Sequence, residues 1–139
     1  MTTPAHPSVA HATLSPLLDS SAGDALRAAD DLAHAVGEER TRRRAERAFL
    51  RLSRAAFAHM RAEENRVFPR AVSHGMSLES LRLLLDDHTS LRELAQRSER
   101  AGFNGQAGVP VDEVADWFAL FVRLFVAHEK RETEMLAES

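Results

Sequence analysis

The chain has 139 residues, 28% of them charged, and a formal net charge of −3, which bounds it to about one domain with a hydrophobic core of its own. A charge so near balance gives no argument for a nucleic-acid partner or an anionic membrane surface. There is no cysteine and no tyrosine, so disulfides, thiolate metal sites, cysteine nucleophiles and tyrosyl radicals are all excluded.

Residues 1–139 are expected to form a single domain, with 1–8, which carry Pro4 and Pro7, as a disordered lead-in. The opening stretch lacks the basic and apolar regions of a secretion signal. The longest apolar run, VADWFALFVRLFVAH, is broken by Asp116 and Arg123, so no membrane span is expected. A cytoplasmic location is the expectation.

The first helix is predicted over residues 9–36, closed by Gly37. Its inward stripe, stepping by threes and fours, runs His11, Leu14, Leu18, Ala22, Ala25, Ala29, Leu32, Val36. Pro16 removes the backbone bond to Ala12, so this helix either kinks there or starts at a Ser15 cap with Pro16 in first position. The second helix, 39–72, gives Phe49, Leu52, Ala56, His59, Glu63, Val67, and its ERTRRRAER run reads as a solvated face. The third, 77–100, gives Leu81, Leu84, His88, Leu91, Ala95. After the glycine-rich loop AGFNGQAGVP, the fourth, 111–137, gives Val114, Phe118, Phe121, Phe125, His128, Glu132, Met135. Trp117 and the three phenylalanines belong to the core and can also line a dry pocket. Short connections favour antiparallel neighbours, so the expected fold is all-α, an up-down-up-down antiparallel four-helix bundle.

Each stripe is apolar except where it holds a histidine, and in two helices a glutamate follows four residues later. HATLSPLL from His11 is echoed by HTSLRELA from His88, and HMRAE from His59 by HEKRE from His128. Counting helical rise from the turns places successive histidines of this set within roughly 7 Å of one height. His34 and His74 fall roughly 28 Å and 22 Å away, and His6 lies between prolines. Buried carboxylates without a counter-charge cost several kcal/mol each. His11, His59, Glu63, His88, His128 and Glu132 in one layer therefore point to metal. Imidazole and carboxylate without thiolate suit iron, ahead of manganese or zinc. Six donors are too many for one tetrahedral zinc and fit two ions roughly 3.5–4 Å apart.

On His11, HMRAEENRVFP from His59, LLDDHTSL around His88 and FVAHEKRE ending at Glu132, the chain resembles a hemerythrin-like domain of the HHE cation-binding type over nearly its whole length. The resemblance implies a four-helix bundle with a non-haem di-iron centre, oxo- or hydroxo-bridged, that binds or activates dioxygen. It implies His11 and His59 on one iron, His88 and His128 on the other, and Glu63 and Glu132 as bridges. Oxygen-carrying hemerythrins have a fifth histidine one turn away on the third helix, where this chain has Leu84 and Arg92. The freed position would suit water, substrate or a further carboxylate, with Glu64 the possible additional ligand. Glu64 and Glu129 otherwise point roughly 100° from the site, towards solvent. Asp87, directly before His88, reads as a helix-surface charge, with a supporting partner to the ligands as the alternative.

The leading functional expectation is an oxidoreductase that activates dioxygen, peroxide or nitric oxide, with a small-molecule substrate and an electron donor as partners. A non-catalytic oxygen- or iron-binding sensor is the alternative. A purely structural bundle, its polar layer fixing register, is the third.

Overall fold

The computed structural model describes residues 23–32 and 39–138. His6, His11, Pro16, His34 and Gly37 lie outside the described residues, so the expectations placed on them have no structural account.

The first described helix, α1 (residues 23–32), buries Ala25, Ala28, Ala29 and Leu32. The next, α2 (Glu39–Ala62), passes without a turn into a π-helical segment (Glu63–Val67) and on into α3 (Phe68–Ser73), so the three form one continuous rod. After the turn at Gly75, α4 (Leu78–Ala101) starts on a Ser77 cap whose hydroxyl accepts from the Ser80 amide at 3.0 Å. It stops at Gly102, whose φ of 72° ends the helix at no steric cost. The last helix, α5, spans Val111–Glu138. Four helical rods and no strand make up the described residues, an all-α bundle whose helix bounds match the expected ones within a residue or two at every described end. No described helix is long and apolar enough to cross a membrane.

Among the described residues the expected stripes are buried except at three places: Leu81 and Met135 are only half-buried, with Leu136 buried beside the latter, and the third is Val67. Val67 was expected inward but is only half-buried, and Phe68, 2% exposed, takes the place. The cause is the π-helical segment. The Phe68 amide bonds to the Glu63 carbonyl five residues back rather than four, so one extra residue is taken up before the rod returns to its core face. Pro69 stands directly after it. Proline lacks the amide hydrogen and crowds the carbonyl four residues earlier, here that of Asn65, inside the stretch where the α pattern is already open.

The apolar core is split. One cluster joins Ala25 to Leu32 with Phe49, Leu52, Met60, Leu91, Phe118, Phe121 and Phe125. The other holds Phe68, Ala71, Met76, Leu84 and Leu136. On the rod from α2 to α3, on α4 and on α5, the residues between these clusters are the polar ones: Glu63, His88, His128 and Glu132.

Candidate metal centre

Because α2, α4 and α5 each turn a polar residue inward between the two clusters, the side chains meet. His59 at the end of α2 and Glu63 at the start of the π-helical segment are one turn apart, with His59 Nε2 3.1 Å from Glu63 Oε2. His88 on α4 brings its Nε2 to 3.3 Å from Glu63 Oε1 and 3.6 Å from Glu132 Oε2. His128 and Glu132 repeat the one-turn pair on α5 at 2.9 Å. The Nε2 atoms of His88 and His128 face each other at 3.0 Å. His88 and Glu132 are fully buried, and His59, Glu63 and His128 nearly so.

Five of the expected donors, His59, Glu63, His88, His128 and Glu132, are thus gathered at one point, and His11 lies outside the described residues. The sixth side chain in the cluster is one the helical periodicity had set aside. Glu129, expected to be solvated, is only 13% exposed and holds Oε1 3.0 Å from His59 Nε2. The donor atoms fall into two groups, each within 4.8 Å: Glu63, His88, His128, Glu132 and His59, Glu63, Glu129, Glu132. Glu63 and Glu132 belong to both.

Glu64 turns away from this point. It accepts from His88 Nδ1 at 2.6 Å and from both terminal nitrogens of Arg92, at 2.8 and 3.1 Å. So Arg92, at one of the two positions open to a fifth histidine, carries the guanidinium that holds Glu64, and Leu84, at the other, is buried in the apolar cluster below. Asp87 is not a free surface charge: it accepts from His128 Nδ1 at 2.9 Å and from Arg131 at 3.2 Å. The ring of Phe68 stacks on His88, centroids 5.4 Å apart. His74 is exposed at the end of α3, its Nδ1 donating to the Arg70 carbonyl at 2.8 Å, a helix-end role.

Periodicity set Glu129, Glu64 and Asp87 aside because each sits about 100° off the core face. A glutamate has enough torsions to reach round that angle. The available signal was adjacency, since each of these acids directly neighbours a core donor in EE, DH and HE.

The electrostatics favour a cation at the centre. Glu64 and Asp87, each held by an arginine, are acceptors only, so the Nδ1 atoms of His88 and His128 carry the hydrogens. In the neutral imidazoles both Nε2 lone pairs then point inward at one another. Burial pulls the His59 imidazole down, yet its hydrogen bonds to Glu129 and Glu63 prevail and raise it to about 9. Burial holds His128 low, with the neighbouring His88 adding to this against the pull of Asp87. Burial pushes the Glu64 carboxyl up, but Arg92 and then His88 bring it below the ordinary range. Three carboxylates and inward imidazole lone pairs, with no thiolate, form a hard-to-intermediate donor set that fits iron, manganese or zinc. Glu63 and Glu132, common to both groups, each offer two oxygens and so are placed to serve either set of donors.

Residues 12–138 match the family model of the hemerythrin HHE cation binding domain, a span that begins one residue after His11. No curated protein and no solved structure matches the chain significantly.

Proposed function

Since the chain belongs to the hemerythrin HHE cation-binding family, we propose that the buried cluster holds two iron ions and that the protein is an oxidoreductase activating dioxygen, peroxide or nitric oxide. The observation that carries this is the sharing of Glu63 and Glu132 between the two donor groups. His88 and His128 would hold one ion, His59 and Glu129 the other, with His11 as a further donor to the second and Glu63 and Glu132 bridging. When bound, the iron pair supplies Lewis acidity and electrons at the centre. The chain's own residues fix the donors, and the apolar clusters on either side keep bulk water from the layer. The carboxylate-rich set favours the more oxidised metal, which suits turnover over reversible carriage. A small-molecule substrate and an electron donor complete the proposed reaction, and the lack of cysteine fits a cytoplasmic setting.

The test is metal content followed by an optical spectrum under air. Two irons per chain, with bands that change once on oxidation and do not reverse under argon, are the expected result. A stable oxygenated band that disappears under argon would convert the enzyme into a carrier or sensor. Protein purified without metal, and unchanged in stability by Fe(II), would overturn both.

A further inference from the structure

The geometry points to a positioning role for Glu64 and Asp87: each, braced by an arginine, fixes and strengthens one imidazole of the His88–His128 half of the centre. This rests on the proposal that these histidines bind metal through Nε2.

The two arrangements have the same construction. Glu64 reaches from the π-helical segment to His88 on α4, and Asp87 reaches from α4 to His128 on α5. Each carboxylate takes the Nδ1 hydrogen of an inward imidazole and is met from behind by a guanidinium, Arg92 or Arg131. An ionised acceptor on Nδ1 locks the tautomer that presents Nε2 to the metal and increases electron donation from the ring. The arginine keeps the carboxylate aimed at the imidazole. The Phe68 ring lying on His88 fixes the remaining rotation of that imidazole.

The two braces differ in strength. Arg92 grips both oxygens of Glu64 in a fork. Arg131 uses one nitrogen, at 3.2 and 3.4 Å, and is half exposed. Asp87, His128 and Arg131 also line a cavity of about 240 Å³ between α4 and α5. Stronger donation from both rings stabilises the more highly charged metal and lowers the reduction potential of this half.

Full-length Glu64→Gln, Asp87→Asn, Glu64→Leu and Glu63→Gln proteins would be titrated with Co(II) alone, then loaded with Fe(II) for a midpoint measurement by spectroelectrochemistry. Gln and Asn keep an acceptor for Nδ1 and remove only the charge. Glu64→Gln and Asp87→Asn should still bind metal, with affinity down about 10- to 100-fold and a more positive midpoint. Glu64→Leu, which also frees the tautomer, should lose more. Loss of metal from Glu64→Gln as complete as from Glu63→Gln would make Glu64 a ligand and overturn the proposal. Wild-type affinity and midpoint in both charge-neutral variants would overturn it too, leaving the two acids as ties between helices. Failure of the wild type to bind Co(II) or Fe(II) would instead remove the metal reading on which it stands.

Discussion

At the scale of single residues, the centre contrasts side chains that share a chemistry but not a place. His59 and His74 are both histidines near a helix end, yet one is buried against two glutamates and the other caps α3 in solvent. His59→Ala and Glu132→Ala should each remove most of the bound metal, whereas His74→Ala should leave it unchanged. Metal analysis of the three purified variants decides, and full retention in His59→Ala would displace the site. Glu129→Gln belongs to the same test and should weaken binding, because Glu129 faces His59 at 3.0 Å. In the metal-free protein His59 also sets a pH dependence. Its folded-state value lies above the ordinary 6.5, at about 9, through Glu129 and Glu63. The stabilisation is therefore fully present below pH 6.5 and is lost as pH rises through 9. Chelator-stripped protein should melt at progressively lower temperature from pH 7 to 10, and His59→Gln should flatten that slope. A melting temperature that rises over this range would contradict the protonated imidazole.

At the scale of elements, the π-helical segment is the feature that positions most of the site. It presents Glu63 inward and Glu64 sideways, and it returns Phe68 to the core face in a step of five. Removing one residue there should restore an α pattern with Phe68 four residues from Glu63, still inward. Pro69 opposes this, because in an uninterrupted helix it costs about 3 kcal/mol or more. Deleting the exposed Asn65 should therefore destabilise the bundle by about that amount, and Pro69→Ala in the same chain should recover most of it. Deleting exposed Ala58 has no such remedy, since it swings everything before it by about 100° relative to the site. Denaturant unfolding of the deletions with and without Pro69→Ala measures the coupling, and strictly additive effects would mean that proline and segment are unrelated. The long apolar stripes were legible in the sequence because the α period repeats over many turns, as in Phe49, Leu52, Ala56, His59 or Phe118, Phe121, Phe125, His128. The five-residue step was not, because a single added residue leaves no period to count. Its trace is the placement of Pro69 inside a helical pattern. Glu129 and Asp87 escaped for a related reason: periodicity locates a backbone direction, whereas these acids are placed by side-chain reach and by the arginine or imidazole they meet.

At the scale of the whole molecule, the polar layer divides a core that would otherwise be continuous between Phe125 and Leu136 on α5 and between Met60 and Phe68 on the rod beside it. Buried ionised groups are a poor source of stability: replacing a buried charged set by apolar side chains of similar volume is often neutral or stabilising by about 1–4 kcal/mol, while removing one partner alone costs about 3–5 kcal/mol. The layer should therefore show strong non-additivity. Glu63→Leu alone leaves His59 and His88 without the carboxylate they face and should destabilise the metal-free protein. The combined replacement His59→Leu, Glu63→Leu, His88→Leu, His128→Leu, Glu129→Leu, Glu132→Leu should give a helical bundle at least as stable as the metal-free wild type and unable to take up iron. Bound metal reverses the ranking for the natural sequence, because an ion that binds only the folded state adds about 2.7 kcal/mol when its free concentration is a hundred times its dissociation constant. Guanidinium unfolding of wild type and sixfold variant, each with and without Fe(II), compares the four states directly. Only the wild type should gain from metal, and without metal the sixfold variant should unfold at the same or higher denaturant concentration. A metal-free wild type clearly more stable than the all-leucine layer would show that the cluster holds the helices together through its own ion pairs, with metal a secondary occupant of a site the fold maintains for itself.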